Sequence, residues 1–181
     1  MIDPSGVLQL LRSGELDLAL CNDPDLFSLP EIEGVHLFDE PMLLALPRQH
    51  RLARRKRIAL SDLADERWML GTTTACPDAE RFIRACQSAG FEPRIAFHND
   101  DYTAILGFVG AGVGIAPVPE MVARRAPRTV HISTLGPGKL TRPIVAALPA
   151  GYRPRPAATM IEILEQVSER WTRAAEDLVA A

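Results

Sequence analysis

At 181 residues, with 47% apolar and 24% charged, the chain can bury one sizeable domain or two small lobes, and this composition excludes wholesale disorder. A formal net charge of -3 argues against nucleic-acid binding by this chain alone, because that affinity rests on neutralising phosphates. No apolar run approaches the ~20 residues of a membrane-spanning helix, nothing at the N-terminus resembles a secretion signal, and three cysteines without C-x-x-C spacing (Cys21, Cys76, Cys86) fit a reducing cytoplasm with no membrane attachment.

Taken in chain order, Val7 to Ser13 reads as the end of an amphipathic helix stopped by Gly14. "LDLAL" (16–20) follows as a short buried strand, broken by the turn formers of "CNDPD". "PMLLALP" (41–47) is a second apolar strand. The basic stretch "RQHRLARRKR" (48–57) then leads into "LSDLADE", where Ser61 is placed to cap a short helical turn. "RWMLG" (67–71) is a strand ending in threonines. Residues 78–89 have helical periodicity, with Ala79, Phe82, Ile83 and Cys86 on one face, Pro77 at the start and Gly90 at the stop. "PRIAFHND" is a strand, "DYTAILGFVGAG" an apolar helix, and "VGIAPVP", "RTVHISTL" and "RPIVAALP" (142–149) are strands. The longest helical pattern runs from Ala157 to Ala180. Strands alternating with helices predict an α/β architecture with largely parallel pairing.

The glycines of "GFVGAGVGIAP" invite a phosphate-cradle reading. Gly110, Gly112 and Gly114 give G-x-G-x-G, which misses the dinucleotide spacing, and no P-loop Lys-Ser or Lys-Thr follows. They also come after an apolar helix rather than before one, so they predict a joint that turns a helix into a strand. The basic stretch has no interleaved aromatics to stack bases, which favours a solvated connection over a nucleic-acid patch.

Three polar groups remain as candidates. "TTTACPD" (72–78) lies between a strand end and a helix start, where hydroxyls and free N–H groups suit an anion, or simply cap the helix. "HNDDY" (98–102) lacks a second histidine at metal-ligand spacing and reads as a turn with Asp100 or Asp101 capping the next helix. Cys21 and Asn22 close a strand and could line a cleft. No nucleophile–base pair, metal motif or cofactor motif is present, so neither an enzyme nor a cofactor or metal protein is expected.

Three stretches carry a family resemblance. "LLRSGELDLAL" (10–20) resembles the helix–strand signature of the effector-binding domain of LysR-type transcriptional regulators. "LFDEPMLLALPRQHRLARRKRIALSDLADERWML" (37–70) is similar to the next block of that family, with its P-x-x-H-x-L turn and L-x-D-L. "DYTAILGFVGAGVGIAPVPEMV" (101–122) resembles the third, an apolar helix running into V-x-A-G-x-G-I-x-x-x-P. Their order covers most of the chain. The resemblance implies a two-lobed, periplasmic-binding-protein-like (type II) fold with a small ligand in the cleft between the lobes. Lobe I would hold residues 1–66 and 143–181, and lobe II residues 67–142. It implies effector contacts from Cys21 and Asn22, from Thr72, Thr73 and Thr74, and from Asn99, Asp100, Tyr102 and Thr103. Strand C-terminal ends and helix N-termini are where open α/β sheets bind ligands, which agrees with that set.

The family's winged helix-turn-helix and the first strand–helix–strand of its effector domain are not in this sequence. The expectations are therefore an incomplete lobe I, no direct DNA contact by this chain, and dimerisation or element exchange through an exposed sheet edge. The expected function is effector sensing, with a small carboxylate as the favoured ligand. A transport-associated solute-binding protein and a truncated, non-binding fragment are the alternatives.

Overall fold

The computed structural model describes residues 4–22, 28–55, 57–71, 77–136 and 140–180, with side chains from 6 to 173 in those ranges. It contains strands β1 (Ala19–Cys21), β2 (Ile32–Pro47), β3 (Arg57–Ala59), β4 (Arg67–Leu70), β5 (Arg94–His98), β6 (Ala116–Pro119), β7 (Val130–Gly136) and β8 (Thr141–Pro149). The helices are α1 (Pro4–Ser13), α2 (Pro77–Ser88), α3 (Tyr102–Gly110), α4 (Glu120–Ala123) and α5 (Arg155–Ala180). The predicted α/β architecture is what forms, with strands of mixed direction. Internal contacts divide the chain into two units, residues 1–39 with 143–181, and residues 40–142.

The first unit has β8 at its centre. β1 pairs with it antiparallel, with Ala19 opposite Ala147, and β2 runs along its other side. Side chains alternate along a strand, so neighbours on β8 serve opposite faces. Ala147 packs with Val7 and Leu11 of α1, while Leu148 packs with Ala157 and Ile161 of α5. Gly14 ends α1 with φ 74°, the left-handed conformation that a glycine adopts without a Cβ penalty.

In the second unit, β2 lies between β6 and β7, antiparallel to both. β3 adds to β7 in parallel, and β4 pairs in parallel with β5. Residue 115, just ahead of β6, is tied to β4 by Met69 N donating to Ile115 O and Ile115 N donating to Arg67 O, each 2.8 Å. Alternation again fills both faces. Leu44, Leu46, Trp68 and Leu70 meet Phe82 and Cys86 of α2 on one side. Ala45, Met69, Ala116 and Val118 meet Ile105, Leu106 and Val109 of α3 on the other. Each such fully buried large side chain contributes about 1.5–3 kcal/mol of burial free energy. Helices on both faces explain why these strands read as continuous apolar runs.

Two expectations are corrected here. Pairing is not largely parallel: β1–β8, β2–β6 and β2–β7 are antiparallel, while β3–β7 and β4–β5 are parallel. Internal contacts group residues 40–66 with 67–142: β2 pairs with β6 and β7, and Ile58 and Leu63 share a core with Trp68. Ser61 does not cap its turn. The 3-10 turn Leu60–Leu63 begins after Ala59 without a side-chain cap bond, and Ser61 lies inside it.

The glycine run forms the predicted joint. Gly110 is the last residue of α3, and Gly112 has φ 78°. A Cβ on Gly114 would meet the Arg67 carbonyl oxygen at 2.5 Å, so residue 114 must be glycine for the chain to run this close to β4.

Candidate ligand-binding site

β4 and β5 are parallel, and Trp68 bridges in parallel to Ile115 at the start of the β6 segment. Their C-terminal ends therefore fall on one edge of the second unit, and each leads into a helix: Leu70 toward α2, His98 toward α3, and Pro119 into α4. This is the edge where α/β sheets gather ligand-binding groups, because loops and helix N-termini converge there.

The turn before α3 is built by its own side chains. Asn99 Oδ1 accepts from Asp101 N (2.7 Å), and Asp101 Oδ1 accepts from Thr103 N (2.7 Å), which makes Asp101 the N-cap. Asn99 N donates to Leu70 O (2.9 Å), and His98 Nδ1 lies 3.1 Å from Gly71 O. The ends of β4 and β5 are thus fastened together, with Asn99, Asp100, Tyr102 and Thr103 carried on one rigid turn.

Beside it lies a buried ion cluster that sequence reasoning missed. Glu40 and Asp78 are both buried, and Arg142 joins them. Arg142 Nε donates to Glu40 Oε2 (2.9 Å) and Nη1 donates to Asp78 Oδ2 (2.7 Å), while Nη2 stands 2.8 Å from Glu40 Oε2. The second oxygen of each carboxylate is also engaged. Glu40 Oε1 accepts from Met121 N (2.7 Å) at the start of α4, and Asp78 Oδ1 accepts from Arg81 (3.2 Å). Burial pulls the Arg142 pKa down, but Asp78 and then Glu40 outweigh it, with a smaller contribution from Tyr102, and the net shift is upward. Arg142 is therefore a fixed cation. Asp78 sits in the first turn of α2, where the helix dipole favours negative charge.

A signal for this cluster was present in the sequence. "EPMLLALP" and "RPIVAALP" have the same form, a charged residue, a proline, five residues and a second proline, with opposite charges at Glu40 and Arg142. Those residues stand at the two places where the chain passes between the units.

Of the candidate residues, the structure brings together Asn99, Asp100, Tyr102 and Thr103. Thr72, Thr73 and Thr74 lie outside the described residues. Cys21 and Asn22 close β1 in the first unit, both half-buried. Cys86 is on the buried face of α2, and burial, aided by Glu92, pushes its thiol up to about 12, so it is no thiolate nucleophile at neutral pH. Among the described residues, no group of three or more His, Cys, Asp or Glu is placed to hold a metal ion, and no helix is long and apolar enough to cross a membrane.

Comparison with known proteins decides the family. The model of the LysR substrate binding domain matches residues 1–169. The chain belongs to the LysR substrate-binding-domain family. Among curated relatives, the transcriptional dual regulator GltC of Bacillus subtilis is 35% identical over 133 residues, which is 70% of this chain and 42% of that protein. The chain thus spans less than half the length of that regulator. Among solved structures, the OxyR C206 mutant of Corynebacterium glutamicum superposes with a TM-score of 0.81 at 21% identity, covering 99% of this chain and 55% of the other. The effector binding domain of QuiR in complex with shikimate superposes at 0.74 with 21% identity, covering 93% and 79%. These structures share the periplasmic-binding-protein-like type II fold of LysR effector domains.

Proposed function

We propose that this chain senses a small effector as part of a LysR-type transcriptional regulator, with the strand-end edge of the second unit as its principal binding surface. The observation that carries this reading is the LysR substrate-binding-domain match over residues 1–169. The geometry supports it: an asparagine, a tyrosine and a threonine are held on one turn at the ends of β4 and β5, beside a cation buried among carboxylates. Such a surface is preorganised, so a ligand that binds it spends little free energy on ordering side chains. Asn99, Asp100, Tyr102 and Thr103 are the proposed contacts. Thr72, Thr73 and Thr74 are proposed from their sequence position, and Cys21 and Asn22 from the family pattern. A small carboxylate is the proposed ligand class, supported by the shikimate held by the QuiR domain. The role is binding rather than catalysis, and self-association of cytoplasmic copies is the means by which binding would be read out.

Thermal-shift screening of the chain against small organic acids, shikimate included, tests this. Stabilisation by one acid, lost in Asn99→Ala and Thr103→Val, is the expected result. Stabilisation only by cations or neutral apolar compounds would overturn the carboxylate assignment. Titration of Asn22→Ala then decides whether the first unit contributes.

A further inference from the structure

The basic stretch 48–57 is the feature that the strand-end surface does not use. Most of its described cations are engaged. Arg48 donates to Arg128 O (3.3 Å), Arg51 to Glu66 Oε1 and Asp62 O (both 2.9 Å), and Arg55 to Asp62 Oδ2 (2.9 Å). His50 stands 3.2 Å from Glu66 Oε1. Arg54 and Arg57 are the exceptions beside them, both exposed and without a hydrogen bond or ion pair among the described residues. Of the two, Arg54 borders an open recess of about 430 Å³ on the second unit. Leu43, Ala53 and Ile132 give the recess apolar wall, while Arg54, Arg55 and His131 give it donors.

The recess has a topological cause. β7 pairs with β2 through Val130–Ser133, and among the described residues β3 joins its other edge from Thr134 onward. His131–Ser133 lie beside the 53–55 loop. The loop is held in place by the buried Ser133, whose Oγ donates to Arg55 O (3.2 Å). Among the described residues no carboxylate lines the recess, and Asp62, which the loop engages, is taken by Arg55. A cavity of this size with apolar walls and a few convergent donors is the usual form of a small-molecule site.

We infer that this recess is a second ligand site, taking a small organic carboxylate whose charged end meets Arg54 and whose apolar body lies on Leu43 and Ile132. It shares no residue with the strand-end surface and stands independently of the function proposed for that surface. Arg54 provides the charge-assisted bonds, and its planar donor fork suits a carboxylate.

The test is a 1H–15N NMR titration of the whole chain with sodium benzoate to millimolar concentration, at ionic strength held with sodium chloride. Benzyl alcohol is the uncharged control. Saturable shifts of the Ala53–Arg55 and His131–Thr134 amides are expected, with affinity about tenfold weaker in Arg54→Ala and largely kept in Arg54→Lys. Because Arg54 is exposed and unpaired among the described residues, the alanine variant keeps its fold, and an unchanged remainder of the spectrum verifies it. Absence of shifts there, equal shifts with benzyl alcohol, or shifts indifferent to Arg54→Ala would each overturn the inference. Shifts confined to Asn99–Thr103 would place benzoate at the strand ends and count against the recess.

Discussion

Two regions of the second unit pair arginine with carboxylate under opposite conditions of solvation. In the cluster of Glu40, Asp78 and Arg142, both acids are buried and Arg142 is only 16% exposed. In the 48–66 region, Arg51 and Arg55 are each 58% exposed and reach Glu66 and Asp62 from the surface. Bond lengths are alike, 2.7–2.9 Å in both. What differs is the cost of breaking them. Water replaces a lost partner on the surface, whereas a buried charge left alone keeps its full desolvation penalty. Short distance alone therefore says little about what an ion pair contributes.

The strongest way to break this contrast is Arg142→Met, which fits the space of the arginine stem and strands two buried carboxylates. A loss of about 3–5 kcal/mol in urea unfolding is expected. Replacing all three members, Glu40→Gln and Asp78→Asn with Arg142→Met, should recover part of that loss, because no unpaired charge is left inside. A single-variant loss below ~1 kcal/mol would mean that the cluster behaves like a surface pair. Next in size is Glu40→Gln. Its amide can satisfy either Met121 N or Arg142 through its one oxygen, but not both, and a loss of about 1.5–3 kcal/mol follows from one failed charge-assisted bond.

The contrast also shows what a sequence discloses. Elements set by local pattern were legible: the apolar spacing of α2 and α3, the glycine joint, and the Asp101 cap each follow from residues within a few positions. The glycines lost their phosphate reading on spacing and order, and Gly114 against Arg67 gives the reason for their presence. Features made by distant residues are not legible in any local window. Glu40 and Arg142 are 102 positions apart and Arg142 and Asp78 are 64 apart, so no window of helical or strand period contains them. Likewise, β2 reads as an apolar run whichever unit it serves. Only its pairing with β6 and β7 assigns residues 40–66 to the second unit.

Between the two extremes stands the α3 cap. Asp101 is exposed, yet its carboxylate is fixed on Thr103 N at 2.7 Å. Asp101→Ala should cost about 1 kcal/mol. If the turn also positions Asn99 and Thr103 for ligand, effector affinity falls by more than this stability change. Equal effects on stability and affinity would reduce Asp101 to a cap and no more.

The smallest effect belongs to the surface pair. Arg51→Ala removes a guanidinium that bridges Glu66 and the Asp62 carbonyl, but Glu66 keeps His50 nearby and stays accessible to water. A loss of about 0.2–1 kcal/mol is expected. Its coupling to Glu66→Gln, measured in a double-mutant cycle, should shrink as sodium chloride rises to 1 M, where the screening length falls to about 3 Å. The Glu40–Arg142 coupling should hold over the same range, since salt does not enter the interior. A surface coupling that resists salt would show that the 48–66 pairs are shielded like the buried cluster. The distinction between the two regions would then rest on chain separation rather than on water.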